Sequence, residues 1–322
     1  MKAALRVLAA FTFALALSGT AFAQSAYPSK PVRIVVPFLA GGPVDTTART
    51  IQQALSRALG QPVIVENRPG ADGAIAAQSV VNAAPDGHTL FFGGSSTMVS
   101  VAVMRKVPPF NPESDFTPVG LVGRYAFCMF VHPDVPAKTV TEFVAHARAN
   151  PDKLNFATSN LTEFMFAAQL MKSAGVSMVR VPYKGAAQAI PDLIAGRVQL
   201  DFVPISAGLA HVKDGRLRIL ATVLPQRVAV APDVPTMAEA GFPGVTVSPW
   251  QGLFAPPKTP REIVDRLSRE LNQVLRDPEV RAQYDKQGFQ PEWAAPETMG
   301  TMLKNDIQLW GQIVREAGIP QD

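Results

Sequence analysis

The sequence contains a single cysteine, which limits the covalent and redox chemistry that the chain can support. Cys128 is the only thiol among 322 residues, so no disulfide can form within the chain. It lies in the apolar run Phe127–Val131, and such a run is typical of a buried strand. We therefore predict that Cys128 is a buried packing residue and not a nucleophile.

Histidine is also scarce, and the side chains that catalysis or metal binding needs are not grouped. The 4 histidines are scattered, and no segment carries His, Cys and carboxylate groups at the spacing of metal ligands. Gly93-Gly94-Ser95-Ser96 lacks the Gly-x-Ser-x-Gly spacing of a hydrolase. Gly41-Gly42 lacks the Gly-x-Gly-x-x-Gly pattern of a nucleotide site. We therefore expect no enzyme activity, no catalytic residue, no cofactor and no metal.

Neither sign of charge dominates the chain. Its 30 Lys and Arg residues and 26 Asp and Glu residues give a formal net charge of +4, and the sequence contains no basic cluster. Binding to a nucleic acid or to an anionic lipid surface normally needs such a cluster. The composition therefore argues against a nucleic-acid partner.

Long apolar runs are confined to the N terminus. The run Leu8–Leu17 is too short to span a bilayer, and the basic residues Lys2 and Arg6 precede it. Ala21-Phe22-Ala23 then fits the small-residue rule for a cleavage site. This pattern predicts that residues 1–23 form a cleaved signal peptide and that the mature protein is exported to the periplasm.

The remaining chain alternates between short β-branched runs and helical patterns, which is typical of βαβ units. The strand Val32–Val36 precedes a helix over 44–59, and a similar block starts with the strand Phe127–Val131 and a helix over 139–149. The alternation predicts an α/β fold with two lobes, each a mainly parallel sheet flanked by helices. Further strands are predicted at 62–65, 89–92, 154–157, 179–181, 198–203, 217–223 and 252–255, and further helices at 162–174, 186–195, 261–275 and 297–316.

No Ser/Gly linker or charge run separates the two blocks. We therefore expect the chain to cross between the lobes within strands, near 124–126 on the way out and near 249–251 on the way back. These crossings predict a first lobe of residues 24–125 and 250–322 and a second lobe of residues 126–249.

The segment Pro37–Asp45 joins the first predicted strand to its helix. Its paired glycines, Gly41 and Gly42, let the backbone approach a ligand closely. Pro43 suits the first helical position, and the free amides of the first turn form a ready site for an anion. Asp45 could fix the loop by accepting hydrogen bonds from its amides. An ordinary strand-to-helix turn with two convenient glycines would show the same pattern, so the segment alone leaves both explanations open.

Several short motifs follow one another in a specific order along the mature chain. They are Tyr27–Pro31, the Pro37–Asp45 turn with Arg49, Gly60–Ala71, Ala84–Leu90, Asp115–Val119, Val181–Gly185 and Pro232–Gly241. In this order and spacing they resemble the Bug-type periplasmic solute-binding receptors of tripartite tricarboxylate transporters. The resemblance covers essentially the whole mature sequence.

The resemblance implies a Venus-flytrap fold of the type II periplasmic-binding-protein kind, with a cleft between the lobes that binds organic acids. It implies that the first-lobe turn and the turn after Phe156 supply ligand contacts, and that membrane permease subunits are the partners of a monomer. Ligands of parallel sheets lie beyond the carboxyl ends of the strands, which agrees with these positions. The predicted ligand-binding residues are Phe38, Ala40, Gly41, Gly42, Asp45, Ser95, Ser96, Thr158, Ser159, Asn160, Thr162, Glu163, Phe164, Tyr183, Gly185 and Asp201.

The turn after Phe156 departs from the family pattern. Relatives usually carry a glycine-rich turn there and a histidine early in the next helix, whereas this chain has Asn160–Glu163 and then Met165. Two roles remain open for Glu163. It caps its helix together with Asn160, as in a capping box, or it faces the cleft and accepts a hydrogen bond from the ligand. The expected ligand is a small organic carboxylate, including aromatic, hydroxy and amino acids.

Two functions are open for a receptor of this kind. It hands its ligand to a tripartite tricarboxylate-type secondary transporter, or the same fold serves as a ligand-binding co-receptor for a sensor system. Docking of the closed form on a permease or on a sensor ectodomain would distinguish the two.

Overall fold

The computed structural model describes residues 27–183, 186–245, 249–316, 318, 319 and 321, with the backbone alone at 186 and 187. The predicted signal peptide and the candidate site residue Gly185 lie outside these residues. Within the described part of the chain, no helix combines the length and the hydropathy that a membrane span requires.

The strands of the described residues form two sheets. The first sheet contains β1 (Val32–Val36), β2 (Val63–Asn67), β3 (Thr89–Gly94), β4 (Thr117–Tyr125), β10 (Trp250–Ala255) and β11 (Phe289–Pro291). The second sheet contains β5 (Phe127–Val131), β6 (Asn155–Thr158), β7 (Val179–Pro182), β8 (Leu200–Pro204) and β9 (Arg218–Thr222).

Helices flank both sheets and connect most of their strands. They are α1 (Pro43–Leu59), α2 (Ala74–Val81), α3 (Ser95–Met104), α4 (Val140–Ala149), α5 (Leu161–Ala174), α6 (Ala186–Ile194), α7 (Ile205–Lys213), α8 (Arg261–Val274), α9 (Pro278–Gln287) and α10 (Pro296–Glu316). The α1 helix packs against β1, β2, α8 and α9, whereas α3 packs against α10. The predicted two-lobe α/β class is confirmed.

The prediction of mainly parallel sheets is wrong, because both sheets are mixed. The strand orders are β11-β4-β10-β3-β1-β2 and β7-β6-β8-β5-β9. The strands of successive βα units form parallel pairs. In the first sheet β1 pairs in parallel with β2 and β3, and in the second sheet β6 pairs in parallel with β7 and β8. The strands next to the passages between the sheets pair antiparallel to their neighbours. The parallel βαβ rule does not apply to these strands, because no crossover helix joins them to the strands with which they pair.

The first βα unit shows how the sequence produces these elements. The β1 strand is buried except at Arg33, and α1 begins with Pro43 at its first position. Gly60 ends α1 in the left-handed conformation, at φ +70°. The apolar stripe of α1 is buried as its spacing predicts; it consists of Ala48, Ile51, Ala54, Leu55 and Leu59.

The chain passes between the sheets at two places. Ala126 lies between β4 and β5, where its N–H donates to the Gly288 carbonyl at 3.0 Å and its carbonyl accepts from the Ile205 amide at 2.8 Å. The chain returns through β10, and there Trp250 is fully buried and donates from Nε1 to Asp306 at 2.6 Å.

One hydrophobic core extends through both sheets. Phe127 and Phe166, whose ring centroids are 5.4 Å apart, belong to the same buried cluster as Phe91 and Trp250. The prediction for Cys128 is confirmed: the thiol is buried, and burial raises its pKa to about 12, so it is uncharged at neutral pH.

Candidate functional site

Asp45 organises the turn that joins β1 to α1. Its buried carboxylate accepts hydrogen bonds from the Gly41 amide at 2.8 Å, from Arg49 Nε at 2.9 and 3.0 Å, and from Asn67 Nδ2 at 2.9 Å. Asn67 Nδ2 also donates to the Phe38 carbonyl at 3.0 Å. The prediction that Asp45 fixes the loop through an amide is confirmed at Gly41.

The Asp45 side chain is a carboxylate in the folded protein. Burial raises its pKa, but the hydrogen bonds from Arg49, Gly41 and Asn67 outweigh burial and hold the pKa below its ordinary value. The ion pair with Arg49, at 2.9 Å, balances the charge of Asp45. The turn therefore carries no net negative charge at the position where a ligand anion is predicted.

The two glycines of this turn differ in whether their backbone conformation requires a glycine. Gly41 has φ +81°, which favours glycine over any residue with a side chain. Gly42 is the N-cap of α1 at φ −76°, and a Cβ there would meet only the Leu39 carbonyl oxygen, at 3.4 Å. Ala40 and Gly41 are exposed. The first amides of a helix have no acceptor inside it, so the N terminus of α1 favours an anion, although Pro43 has no N–H and the Gly41 amide already donates to Asp45.

The segment Gly70–Gly73 lies beside this turn at the carboxyl end of the first sheet. A Cβ on Gly73 would stand 2.9 Å from Pro37 Cβ and 2.5 Å from Thr97 Cγ2. The connections that follow β1, β2 and β3 therefore meet at one edge of the sheet, as the parallel pairing of these strands requires.

The connection between β3 and α3 contacts the returning strand β10. Ser95 is buried, and its Oγ accepts a hydrogen bond from the Trp250 amide at 3.2 Å, whereas Ser96 is half-buried. Gln251 is 3% exposed, and its Oε1 has no hydrogen-bond partner among the described residues. Sequence pattern alone does not identify Gln251, because an isolated amide in an apolar strand belongs to no motif.

Asn160 and Glu163 cap α5 reciprocally in the turn that follows β6. Asn160 Oδ1 accepts a hydrogen bond from the Glu163 amide at 3.1 Å. The Glu163 carboxylate accepts from Ser159 Oγ at 2.8 and 2.9 Å, from Asn160 Nδ2 at 2.9 Å, and from the Ser159 amide. These contacts match the capping alternative for Glu163, with the Ser159 amide as the backbone donor.

Two carboxyl groups that influence each other are buried here, Glu163 at this turn and Asp201 on strand β8. Glu163 is 2% exposed and Asp201 is 0% exposed, and neither oxygen of Asp201 has a hydrogen-bond partner among the described residues. Burial raises the pKa of Asp201 well above its ordinary value, and repulsion by Glu163 raises it further. Burial also raises the pKa of Glu163, against the donors of Ser159 and Asn160. Because Glu163 has these donors and Asp201 lacks them, Asp201 holds a proton more tightly than Glu163 does.

Tyr183 turns toward α6. Its Oη donates to Asp192 Oδ2 at 2.8 Å, and Arg197 Nη1 donates to the other oxygen of Asp192 at 2.6 Å. Burial and the Asp192 carboxylate raise the pKa of Tyr183 to about 12, so its hydroxyl is a neutral donor. In this conformation the hydroxyl is committed to Asp192.

Arg180, on β7, is a charged residue that contacts the β6–α5 turn and that sequence pattern alone does not identify. Its Nε donates to Thr158 Oγ1 at 2.9 Å, and its guanidinium carbon lies 4.8 Å from the ring centroid of Phe164. Thr158, Thr162 and Phe164 are all buried, and the Thr162 hydroxyl has no hydrogen-bond partner among the described residues. Arg180 reaches the turn because β7 pairs with β6, which no local motif encodes.

The candidate residues fall into a first-sheet group and a second-sheet group. The first comprises Phe38, Ala40, Gly41, Gly42, Asp45, Ser95 and Ser96, and the second Thr158, Ser159, Asn160, Thr162, Glu163, Phe164, Tyr183 and Asp201. Both groups are rich in backbone and side-chain hydrogen-bond donors. In the described ranges, no three or more His, Cys, Asp or Glu side chains are grouped so that they could hold a metal ion.

Comparisons with known proteins show which family the chain resembles in sequence and fold. Residues 47–319 match the family described as Tripartite tricarboxylate transporter family receptor. The chain is similar to the protein BugT of Bordetella pertussis (strain Tohama I), with 34% identity over 323 residues that cover 97% of this chain and 98% of BugT.

Two solved structures with bound ligands are also similar. MatC from Rhodopseudomonas palustris with bound malate has 33% identity and a TM-score of 0.75, and the match covers 89% of this chain and 100% of MatC. The R. palustris protein Rpa4515 with adipate has 31% identity and a TM-score of 0.79, and the match covers 91% of this chain and 99% of Rpa4515.

Proposed function

This chain belongs to the tripartite tricarboxylate transporter receptor family, a family of solute-binding receptors, and from that membership we propose that it captures a small organic carboxylate between two lobes. The observation that carries the proposal is the Phe38–Asp45 turn. The exposed residues Ala40 and Gly41 stand just before the N terminus of α1, whose first amides have no acceptor inside the helix, and Arg49 balances the Asp45 carboxylate. The malate and adipate bound to the two similar solved proteins belong to the same chemical class.

We assign residues 24–125 and 250–322 to the first lobe and residues 126–249 to the second. The passages at Ala126 and before Trp250 then form the hinge, and the cleft lies between the two groups of candidate residues. The Phe38–Asp45 turn binds one carboxylate of the ligand through backbone donors. The second-sheet group surrounds the rest of the ligand.

The protein acts outside the cytoplasm in this proposal. The N-terminal pattern of residues 1–23 supports export, and family membership supports delivery of the ligand to membrane permease subunits. The protein acts as a monomer in this proposal. Binding of the ligand-loaded protein to permease subunits in nanodiscs, compared with binding to a sensor ectodomain, tests delivery against sensing.

A thermal-shift screen of the mature protein against mono-, di- and aromatic carboxylates tests carboxylate capture. A ligand at about one hundred times its dissociation constant should add about 2.7 kcal/mol to the free energy of unfolding. Gly42→Leu should keep the fold, because a Cβ at Gly42 meets only the Leu39 carbonyl oxygen at 3.4 Å. Its side chain should nevertheless cover the amides at the N terminus of α1 and weaken binding at least about tenfold, or 1.4 kcal/mol.

Gly244→Leu is the matched control, because it adds the same bulk where a Cβ would have no heavy atom within 4 Å. Affinity measured by calorimetry should be unchanged in this variant. If Gly42→Leu binds as tightly as the wild-type protein, the Phe38–Asp45 turn is not part of the site.

A further inference from the structure

Arg180 is held in place at the β6–α5 turn, but no carboxylate balances its charge. The Nε hydrogen bond to Thr158 Oγ1, at 2.9 Å, and the face of the Phe164 ring, at 4.8 Å, fix the guanidinium at two points. Among the described residues, no acidic side chain forms an ion pair with Arg180, and this includes Glu163 and Asp201 at the same turn.

The free end of this guanidinium suits a carboxylate. Arginine has five N–H donors, and the contact with Thr158 uses the single donor on Nε. The four donors on the two Nη nitrogens are arranged as a planar fork that matches the two oxygens of a carboxylate. Arg180 is exposed, so a ligand can reach this end.

The first-sheet group offers no comparable cation. Arg49, at the Phe38–Asp45 turn, is already bound to Asp45 at 2.9 Å and donates from Nη2 to Asn67 Oδ1 at 3.1 Å. That turn therefore supplies backbone amides for one carboxylate. The second-sheet group supplies the Arg180 guanidinium, which has no ion-pair partner among the described residues, whereas the Glu163 carboxylate in the first turn of α5 is held by Ser159 and Asn160.

We propose that Arg180 binds the second carboxylate of a dicarboxylate ligand whose first carboxylate binds the Phe38–Asp45 turn. This inference rests on the proposed function and narrows its ligand class. A monocarboxylate engages only the first of these two sites. Arg180 is therefore the residue that makes the protein select dicarboxylates over monocarboxylates of the same chain length.

Calorimetry with two matched pairs of probes tests this assignment: adipate with hexanoate, and succinate with butyrate. Each pair shares a carbon chain and differs by one terminal carboxylate. Wild-type protein should bind the dicarboxylate of at least one pair about 10- to 100-fold more tightly than its monocarboxylate, as a charge-assisted hydrogen bond pair implies. Arg180→Met should abolish this preference and leave monocarboxylate affinity unchanged, because methionine still covers Phe164.

Two further variants separate binding from folding and from net charge. Arg180→Lys keeps the charge without the planar fork and should retain part of the preference. If Arg180→Met melts at a lower temperature than the wild type, the dicarboxylate preference of Arg180→Lys is the result that tests the assignment. Arg216→Met removes an equal charge from an exposed arginine that pairs with Asp214 at 3.0 Å, and it should bind both probes as the wild type does.

The outcomes distinguish this assignment from the proposed function. The role of Arg180 is overturned if the wild-type protein binds both members of each pair equally, or if Arg180→Met keeps the wild-type preference. Carboxylate capture itself would survive either result. If the wild-type protein binds no probe of either pair and no carboxylate of the thermal-shift screen, both the proposed function and the role of Arg180 fail.

Discussion

Asp45→Ala should lower the free energy of unfolding by about 2–3 kcal/mol and weaken carboxylate binding about 100-fold. The substitution leaves the Gly41 amide and Arg49 without their partner and releases the Phe38–Asp45 turn. The affinity falls because the ligand must then order a turn that the wild-type protein holds in place before binding. Urea denaturation gives the stability, and calorimetry with the tightest carboxylate of the screen gives the affinity.

Asp277→Ala is the matched control for Asp45→Ala. Asp277 also accepts a hydrogen bond from a backbone amide, that of Glu279 at 2.8 Å, but it caps α9 away from the candidate site. Its replacement should cost about 1 kcal/mol of stability and leave the affinity unchanged. Equal effects of the two substitutions on affinity would contradict the role assigned to the Asp45 network.

Asp201→Asn should remove a pH dependence of stability that the wild-type protein has. The folded protein holds the Asp201 proton more tightly than the unfolded chain does, because burial and Glu163 raise the pKa of Asp201. This tighter proton binding contributes its full stabilisation at pH values below the pKa of Asp201 in the unfolded chain, about 3.9. The stabilisation is lost as the pH rises from that value through the raised pKa of Asp201 in the folded protein. Between these two pKa values, the free energy of unfolding of Asp201→Asn relative to that of the wild type should rise by about 1.4 kcal/mol for each pH unit.

Urea titrations from acid to mildly alkaline pH measure this effect, and infrared spectroscopy detects the neutral acid directly. Above the ordinary pKa of an aspartic acid, the wild-type protein should still show the carbonyl band of a protonated carboxylic acid, and Asp201→Asn should lack it. Glu163→Gln should lower the pKa of Asp201 in the folded protein, because it removes the neighbouring charge. The pH range over which Asp201 affects stability should then be narrower. Parallel stability curves for the wild type and Asp201→Asn would show that Asp201 is ionised in the folded protein.

The spacing of apolar residues in the sequence predicts those helices and strands whose buried residues recur at regular intervals. The β1–α1 unit and α8 are found where apolar spacing places them, because each buries a single face against a sheet. The α2 helix was missed because its sequence, AIAAQSVV, is apolar and largely buried without a polar stripe. The β4 strand was missed because Pro118, Gly120 and Gly123 interrupt it, although Gly123 is required where the Phe289 ring approaches.

The candidate site shows the same division between local and long-range information. The hydrogen bond between Asp45 and Gly41 and the cap formed by Asn160 and Glu163 connect residues three or four positions apart, so their spacing predicts them. Arg180 lies 22 residues from Thr158 in sequence and reaches it only through the pairing of β7 with β6. The repulsion between Asp201 and Glu163 likewise depends on sheet order, which one sequence does not contain.

Small-angle X-ray scattering with and without the tightest carboxylate of the screen tests capture between two lobes most directly. Closure about Ala126 and the passage before Trp250 should lower the radius of gyration of the wild-type protein at saturating ligand. At a ligand concentration close to the wild-type dissociation constant, Gly42→Leu should show a much smaller decrease than the wild type, because its binding is at least about tenfold weaker. If calorimetry shows that the wild-type protein is saturated while its scattering curves with and without ligand superimpose, the ligand is not captured by closure of the two lobes.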